Sequence, residues 1–391
     1  MKYSKLFSLR VFYLTLIIST IVLYTVSVTV FDAKTVIIAD PVSTSKPVVD
    51  VEPVFKAKTD QKIEVNGTDC LQSTNNPNND GHDGILDDIS NSTVKPVHGR
   101  SIFFLMTKNS GKDVSLLAGQ SCAIESAAFR HPNRNVFVLF ASPVKFATET
   151  QSATLAVLRS YTNIHFMNMN LDTFVKGTPA EDFYRSGRIF SSTHLVEHMS
   201  DFLRLLVLYK YGGIYLDTDA IVQKNMDGLP ANFLGKEAYA GTKINGINGA
   251  VIGFQDQDGH EILELCLNDL ITNFNSTGWN QNGPALLTRV LVNKVCHTSL
   301  AEMTPEKCRG LKVFPPEEFY AINYDDWPYF LDVRHTEFVL EATSNSSVVH
   351  LWNHFWRKKM ITKSKSKLRT AYEAIAEKDC PKVFITSGDY F

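Results

Sequence analysis

Between Ser200 and Asp219 the chain runs as an amphipathic stretch, halts at Tyr211-Gly-Gly213, continues into the apolar run Ile214-Tyr-Leu216 and ends in two acids, Asp217 and Asp219. Leu195, Met199, Phe202, Leu203, Leu206 and Val207 recur at helical spacing, which predicts a helix over residues 193–210. Gly212 and Gly213 end it, because glycine tolerates the tight turn or close backbone approach that a helix-to-strand reversal demands. A helix with one apolar stripe, followed by a short apolar strand, has to bury both against a sheet, so the chain is committed to layers of helix on sheet.

The two acids carry the chemistry. Side chains alternate along an extended chain, so Asp217 and Asp219 are expected on one side, where they can share a hard divalent cation. Such a cation with open positions would hold the diphosphate of a nucleotide-activated sugar and offset the charge that develops as the nucleoside diphosphate leaves. A bare Asp-x-Asp is common, and on an exposed loop it is ordinarily solvated. Here Asp201 and Arg204 stand three apart on the preceding helix and reach one face of it. Without the acids, that pair would read as a salt bridge beside a glycine C-cap.

Upstream, apolar runs alternate with amphipathic ones: strands at 102–106, 136–140 and 164–167, helices at 122–129 and through Leu155 and Leu158. This alternation argues for parallel strands with crossover helices, an α/β sheet with its ligand site at the strand C-termini. The second half is less regular, with strands expected at 238–241, 250–254, 312–314 and 348–352 and helices at 259–274 and 284–295.

Residues 11–31 are twenty-one without a charge, enough as a helix to cross the roughly 30 Å hydrocarbon layer. Lys2, Lys5 and Arg10 precede them and Asp32 follows, so the positive-inside rule places the N-terminus in the cytosol and the remainder in the lumen. A cleaved signal peptide would have a shorter apolar core and a small-residue cleavage site, so an uncleaved type II anchor is expected. Residues 32–98, rich in Asp, Asn, Pro, Ser and Thr, are expected as an extended stem. The domain organisation is therefore a cytosolic tail (1–10), a transmembrane signal-anchor helix (11–31), a stem (32–98) and a catalytic domain (99–391).

A lumenal address agrees with four N-glycosylation sequons, at Asn66, Asn91, Asn275 and Asn345, and with six cysteines, all beyond the apolar stretch. The six allow up to three disulfides of unreadable connectivity, with buried thiols an alternative for Cys122 and Cys266, and no C-x-x-C pair suggests zinc. A net charge of −2 and the lack of a basic stripe with interleaved aromatics argue against a nucleic-acid partner. The basic run over 357–367 reads as a solvated face.

These segments, in order, resemble the Golgi glycosyltransferases that contain a DXD sugar-binding motif, and within them the lactosylceramide 4-alpha-galactosyltransferase and alpha-1,4-N-acetylglucosaminyltransferase group. The resemblance rests on Ser200 to Asp219 together with Ile102-Phe-Phe-Leu105, Cys122-Ala-Ile-Glu-Ser-Ala127, His131-Pro132, Gly283-Pro-Ala-Leu-Leu-Thr-Arg-Val290 and His350-Leu-Trp-Asn353. It implies a GT-A type α/β fold, a Rossmann-like mixed sheet with flanking helices, in a domain tethered to the Golgi membrane. It further implies Mn2+ on Asp217 and Asp219 with His350 as a late ligand, a UDP-sugar donor, a glycolipid or glycan acceptor, and retention at the transferred sugar. Asp201, Arg204, Gly212, Gly213 and Tyr215 match donor-site positions. Gln281, between Asn280 and Asn282, falls where related enzymes place a polar side chain near the sugar. An amide is a poor nucleophile, so a front-side route is favoured over a covalent intermediate. Galactose or N-acetylgalactosamine passing to a glycosphingolipid is the expected reaction; N-acetylglucosamine transfer to glycoprotein glycans and a non-catalytic tethered binding protein are the alternatives. Glu125 reads equally as a helix-surface or capping acid and as a donor contact. A haloacid-dehalogenase-like reading of Asp217 as nucleophile leaves the Asp201 and Arg204 helix and the segment from Gly283 unexplained.

Overall fold

Successive side chains of a strand point to opposite faces, and in the main sheet both faces are covered. A computed structural model describes residues 85–108, 111–147, 152–238, 246–356, 361–364 and 368–391, all within one unit, Glu64–Phe391. The strands are β1 (Ile102–Met106), β2 (Val136–Phe140), β3 (Ile164–Asn168), β4 (Gly213–Leu216), β5 (Ala220–Val222), β6 (Asn232–Glu237), β7 (Gly246–Phe254), β8 (Lys312–Phe314) and β9 (Val348–His350). Seven form the main sheet in the order β3-β2-β1-β4-β7-β6-β8, while β5 and β9 pair separately. Strands β1 to β4 run parallel, β7 is antiparallel to β4 and β6, and β8 is parallel to β6. The fold is mixed α/β with a parallel-rich sheet.

Ile102, Phe104 and Met106 enter one apolar cluster with the helix Ala118–Arg130, and Phe103 and Leu105 enter the other with the helix Leu195–Tyr211. The expected helices at 122–129 and 193–210 are thus present with slightly different ends. The glycine stop is a steric requirement: Gly213 has φ +100°, and a Cβ there would lie 2.3 Å from the Ser101 carbonyl oxygen. The helix expected over 284–295 is α-helical only over Pro284–Val290 and continues as a π-turn, Leu291–Val295.

The apolar stretch 11–31, Asn66 and Cys70 lie outside the described residues, as do 357–360 and 365–367 of the basic run. Among the described residues no helix is long and apolar enough to cross a membrane. The segment from Ile85 to His98, expected within the stem, is fixed to the domain. Ile89 is fully buried, its N–H bonds to the Asn168 carbonyl at 2.9 Å, and the Asn168 side chain donates to Leu86 O at 2.8 Å. The physical reason is the otherwise open edge of β3, which this segment covers.

The C-terminal portion packs onto the first crossover helix. Glu125 is fully buried and its carboxylate accepts from the N–H groups of Lys382 (3.2 Å) and Val383 (2.7 Å) and from the Tyr161 hydroxyl. It is a capping acid for the helix Pro381–Thr386, neither a surface group nor a lining residue of the cavity described below. Cys122 and Cys380 stand at disulfide distance beside it, as do Cys296 and Cys308, whereas Cys266 is a buried thiol. Cys380→Ser is expected to lower the free energy of unfolding by about 2–4 kcal/mol, read as a lower urea midpoint for the full chain.

Candidate active site

Strand β4 delivers the two acids, but not as an extended pair. It ends at Leu216, the Asp217 N–H bonds to Ala250 O at 2.8 Å, and the Ala220 N–H returns to Asp217 O at 3.0 Å, closing a turn. The expected strand alternation is therefore replaced by a reversal at which the chain leaves the main sheet for β5. That reversal has a purpose visible in the pairing. Strand β5 runs antiparallel to β9 with Ala220 opposite His350, which sets the imidazole beside the acids.

Asp217, Asp219 and His350 each offer a ligand atom, and these atoms lie within 4.8 Å of one another. His350 Nε2 is 3.2 Å from Asp219 Oδ1, and Asp219 Oδ2 accepts the Asn353 N–H at 2.9 Å. His350 Nδ1 is buried without a hydrogen-bond partner, so the ring has a nitrogen for which the protein supplies nothing. Two carboxylates and an imidazole suit a divalent transition-metal ion. Burial pushes the Asp219 carboxyl up, but His350 and the Asn353 N–H more than reverse this and hold it below its ordinary range. Burial pulls the His350 imidazole down, yet Asp219 outweighs it and holds it up. Neutral imidazole is the form that ligates, so metal binding at His350 is favoured as pH rises.

Arg204 forms the floor. It is 8% exposed, donates from Nη1 to Gly249 O at 2.6 Å, and stands 3.2 Å from Asp201 and 3.5 Å from Asp217. Burial pushes the Asp201 carboxyl up to about 6 against the pull of Arg204. Arg204 stays charged, since Asp217 and Asp201 outweigh its burial. Tyr215 lies under the guanidinium at 4.8 Å, and its hydroxyl, which burial holds well above its ordinary range, donates to Asp217. Gly283 closes the packing, because a Cβ there would lie 2.5 Å from Asp201 Oδ1.

The acids, His350, Arg204 and Tyr215 line a cavity of about 880 Å³ that is also lined, at the C-terminal end of β1, by Met106, Thr107 and Lys108. That volume suits a nucleotide sugar. Of the residues singled out in the sequence, Asp201, Arg204, Tyr215, Asp217, Asp219 and His350 come together in it. Gly212 and Gly213 do not; they sit at the start of β4, roughly 13 Å of extended chain from the acids, and shape the turn. Gln281 does not line it either. Its side chain is exposed and meets Asn280, the neighbour that does line the cavity, while Asn282 is buried against the Asn275 backbone. Asn91, Asn275 and Asn345 are all exposed.

The cavity also holds residues that the sequence reading did not anticipate. Glu237, 6% exposed, accepts from Asn248 Nδ2 at 2.6 Å, and both line the wall with Gly249. The available signal was polar residues inside a buried strand: Asn248 interrupts an apolar run, and Lys236-Glu237 ends β6, where no strand was expected.

The sequence matches two families: "Glycosyltransferase sugar-binding region containing DXD motif" over residues 118–237 and "Alpha 1,4-glycosyltransferase conserved region" over residues 255–387. Lactosylceramide 4-alpha-galactosyltransferase of Homo sapiens is 32% identical over 291 residues, 73% of this chain and 78% of that protein. Alpha-1,4-N-acetylglucosaminyltransferase of Homo sapiens is 28% identical over 295 residues, 73% of this chain and 80% of that protein. Among solved structures, the PaToxG glycosyltransferase aligns with a TM-score of 0.36 at 14% identity, over 76% of this chain and 90% of that one.

Proposed function

The chain belongs to the lactosylceramide 4-alpha-galactosyltransferase and alpha-1,4-N-acetylglucosaminyltransferase family and is a glycosyltransferase, and from that premise we propose a retaining alpha-1,4 transfer of galactose or N-acetylgalactosamine from a UDP-sugar to a glycosphingolipid. The observation that carries this reading is the convergence of Asp217, Asp219 and His350 in a cavity large enough for the donor. Divalent metal dependence follows from the DXD family; Mn2+ is the proposed ion, held by these three side chains in a GT-A type arrangement. When bound, it supplies positive charge to the donor diphosphate.

The protein groups divide the remaining work. Arg204 neutralises Asp201 and Asp217 and fixes the Gly249 backbone, which keeps the acids in place before the donor arrives. Asn248 and Glu237 line the cavity wall with Gly249, where they would read the hydroxyls of the donor hexose. Retention is assigned to front-side displacement: the acceptor oxygen bonds to the anomeric carbon, the bond to the diphosphate breaks, and the acceptor proton passes to a diphosphate oxygen.

For the cell, we propose a type II Golgi membrane protein anchored by residues 11–31, with the catalytic domain in the lumen and glycans on its sequon asparagines. Incubation of the full chain in detergent with lactosylceramide and separate UDP-sugars tests the function. A single alpha-1,4-linked galactose or N-acetylgalactosamine is expected on the terminal sugar. Transfer of N-acetylglucosamine alone to glycoprotein glycans would replace the glycolipid reading, and an inert folded protein would make the chain a binding protein. His350→Ala is expected to raise the Mn2+ concentration for half-maximal activity about tenfold or more with thermal stability retained. Loss of thermal stability with an unchanged Mn2+ requirement would make His350 a packing residue.

A further inference from the structure

The cavity that ends at the acids is also lined by aromatic rings for which the metal chemistry has no use. Trp279, in the loop before the helix Pro284–Val290, stands edge-on to His194 at 5.1 Å and against His354 at 4.6 Å. His354 meets Phe355 at 5.5 Å, and Phe355 stacks on Tyr324 at 5.9 Å and on Trp327 at 6.3 Å. Trp279, Tyr324, His354 and Phe355 share the cavity with Asp217 and Asp219. Rings of this size are normally covered, yet Trp279 is 46% and Phe355 47% exposed. Large apolar surface left open inside a ligand cavity points to a ligand that covers it.

The chemistry of the row selects the ligand. An acyl chain would want an uninterrupted apolar slot, whereas here the rings share the cavity wall with His354, Asn280 and Asn353, whose side chains hydrogen-bond. A nucleobase would stack, but nucleotides settle at the C-terminal ends of parallel strands, here the Met106 to Lys108 end of β1. Trp279, Tyr324, His354 and Phe355 come instead from segments after β7. A hexose has both features required: a face of weakly positive C–H groups for the electron-rich ring face, and hydroxyls for the flanking polar groups.

The geometry points to this aromatic row as the acceptor subsite, a shelf on which the terminal hexose of an oligosaccharide lies against Trp279 and Phe355 while presenting a hydroxyl to the transfer centre. The inference rests on the transferase reading and adds to it the residues that select the acceptor.

Saturation-transfer NMR of lactose with the full chain in detergent, in the presence of UDP and Mn2+, tests the shelf. Lactose is expected to receive saturation from the unmodified protein. The double variant Trp279→Ala, Phe355→Ala should bind it at least about tenfold more weakly, and Trp279→Phe should retain most of the binding. UDP affinity should stay within about twofold in all three. The shelf is overturned if the unmodified protein does not bind lactose, if the double variant binds it equally well, or if UDP affinity falls instead. UDP release by the unmodified chain reads the transferase assignment separately. Release without Trp279-dependent lactose binding overturns the shelf alone, and Trp279-dependent binding without release keeps a sugar-binding row but overturns both the transferase and the row's role as an acceptor subsite.

Discussion

Asp219→Asn is expected to lower sugar transfer by at least about two to three orders of magnitude, roughly 3–4 kcal/mol of transition-state stabilisation, in a chain that still folds. The substitution keeps the shape of the side chain and an oxygen for the Asn353 N–H, which now lies 2.9 Å from Oδ2. What it removes is the negative charge facing His350 at 3.2 Å and one anionic ligand of the proposed ion. Since the Leu351 N–H also bonds to the Asp219 backbone oxygen, the junction of β5 with β9 does not depend on the carboxylate. Steady-state transfer with Mn2+ in excess, alongside a thermal melt, separates the two effects. Near-native activity would remove Asp219 from the metal centre.

Arg204→Ala is expected to act on folding as well as on turnover, with a loss of about 3–5 kcal/mol in stability. The guanidinium is the shared partner of Asp201, Asp217 and the Gly249 carbonyl, and it is buried. Its removal leaves Asp201, 6% exposed, as a buried carboxylate without its counter-charge. Arg204→Lys should recover only part of the loss, because an ammonium cannot serve forked partners at once. Urea unfolding of the full chain measures the loss. An unchanged midpoint for Arg204→Ala would mean that Asp201 finds another partner.

Much of this site was legible because its local pattern and its tertiary role coincide. The helix carrying Asp201 and Arg204, the glycine stop and the strand before the acids are contiguous, so one stretch of sequence holds their geometry. The parallel strands β1 and β2 were legible because their apolar runs are unbroken, and β3 because only His165 interrupts the run from Ile164 to Met167. Strand β6 was not, since Lys236 and Glu237 look like surface residues and are buried at its end, beside the cavity. His350 was reached through the family resemblance alone, because its place depends on a pairing that brings Asp219 to residues as distant as Asn353, 134 positions on. Asn280 and Gln281 stand in a loop without periodicity, where nothing in the sequence phases the side chains and either could face the cavity. Glu125 was ambiguous for a similar reason: the backbone it caps lies 257 positions away, at Lys382.

The central claim, that Asp217, Asp219 and His350 form a divalent-metal centre, is tested most directly by electron paramagnetic resonance of Mn2+ titrated into the full chain in detergent. The account predicts one bound ion per chain, tighter binding with UDP present, and at least about tenfold weaker binding in Asp219→Asn. Absence of bound Mn2+ with UDP at saturation, or binding unaffected by Asp219→Asn, would contradict it.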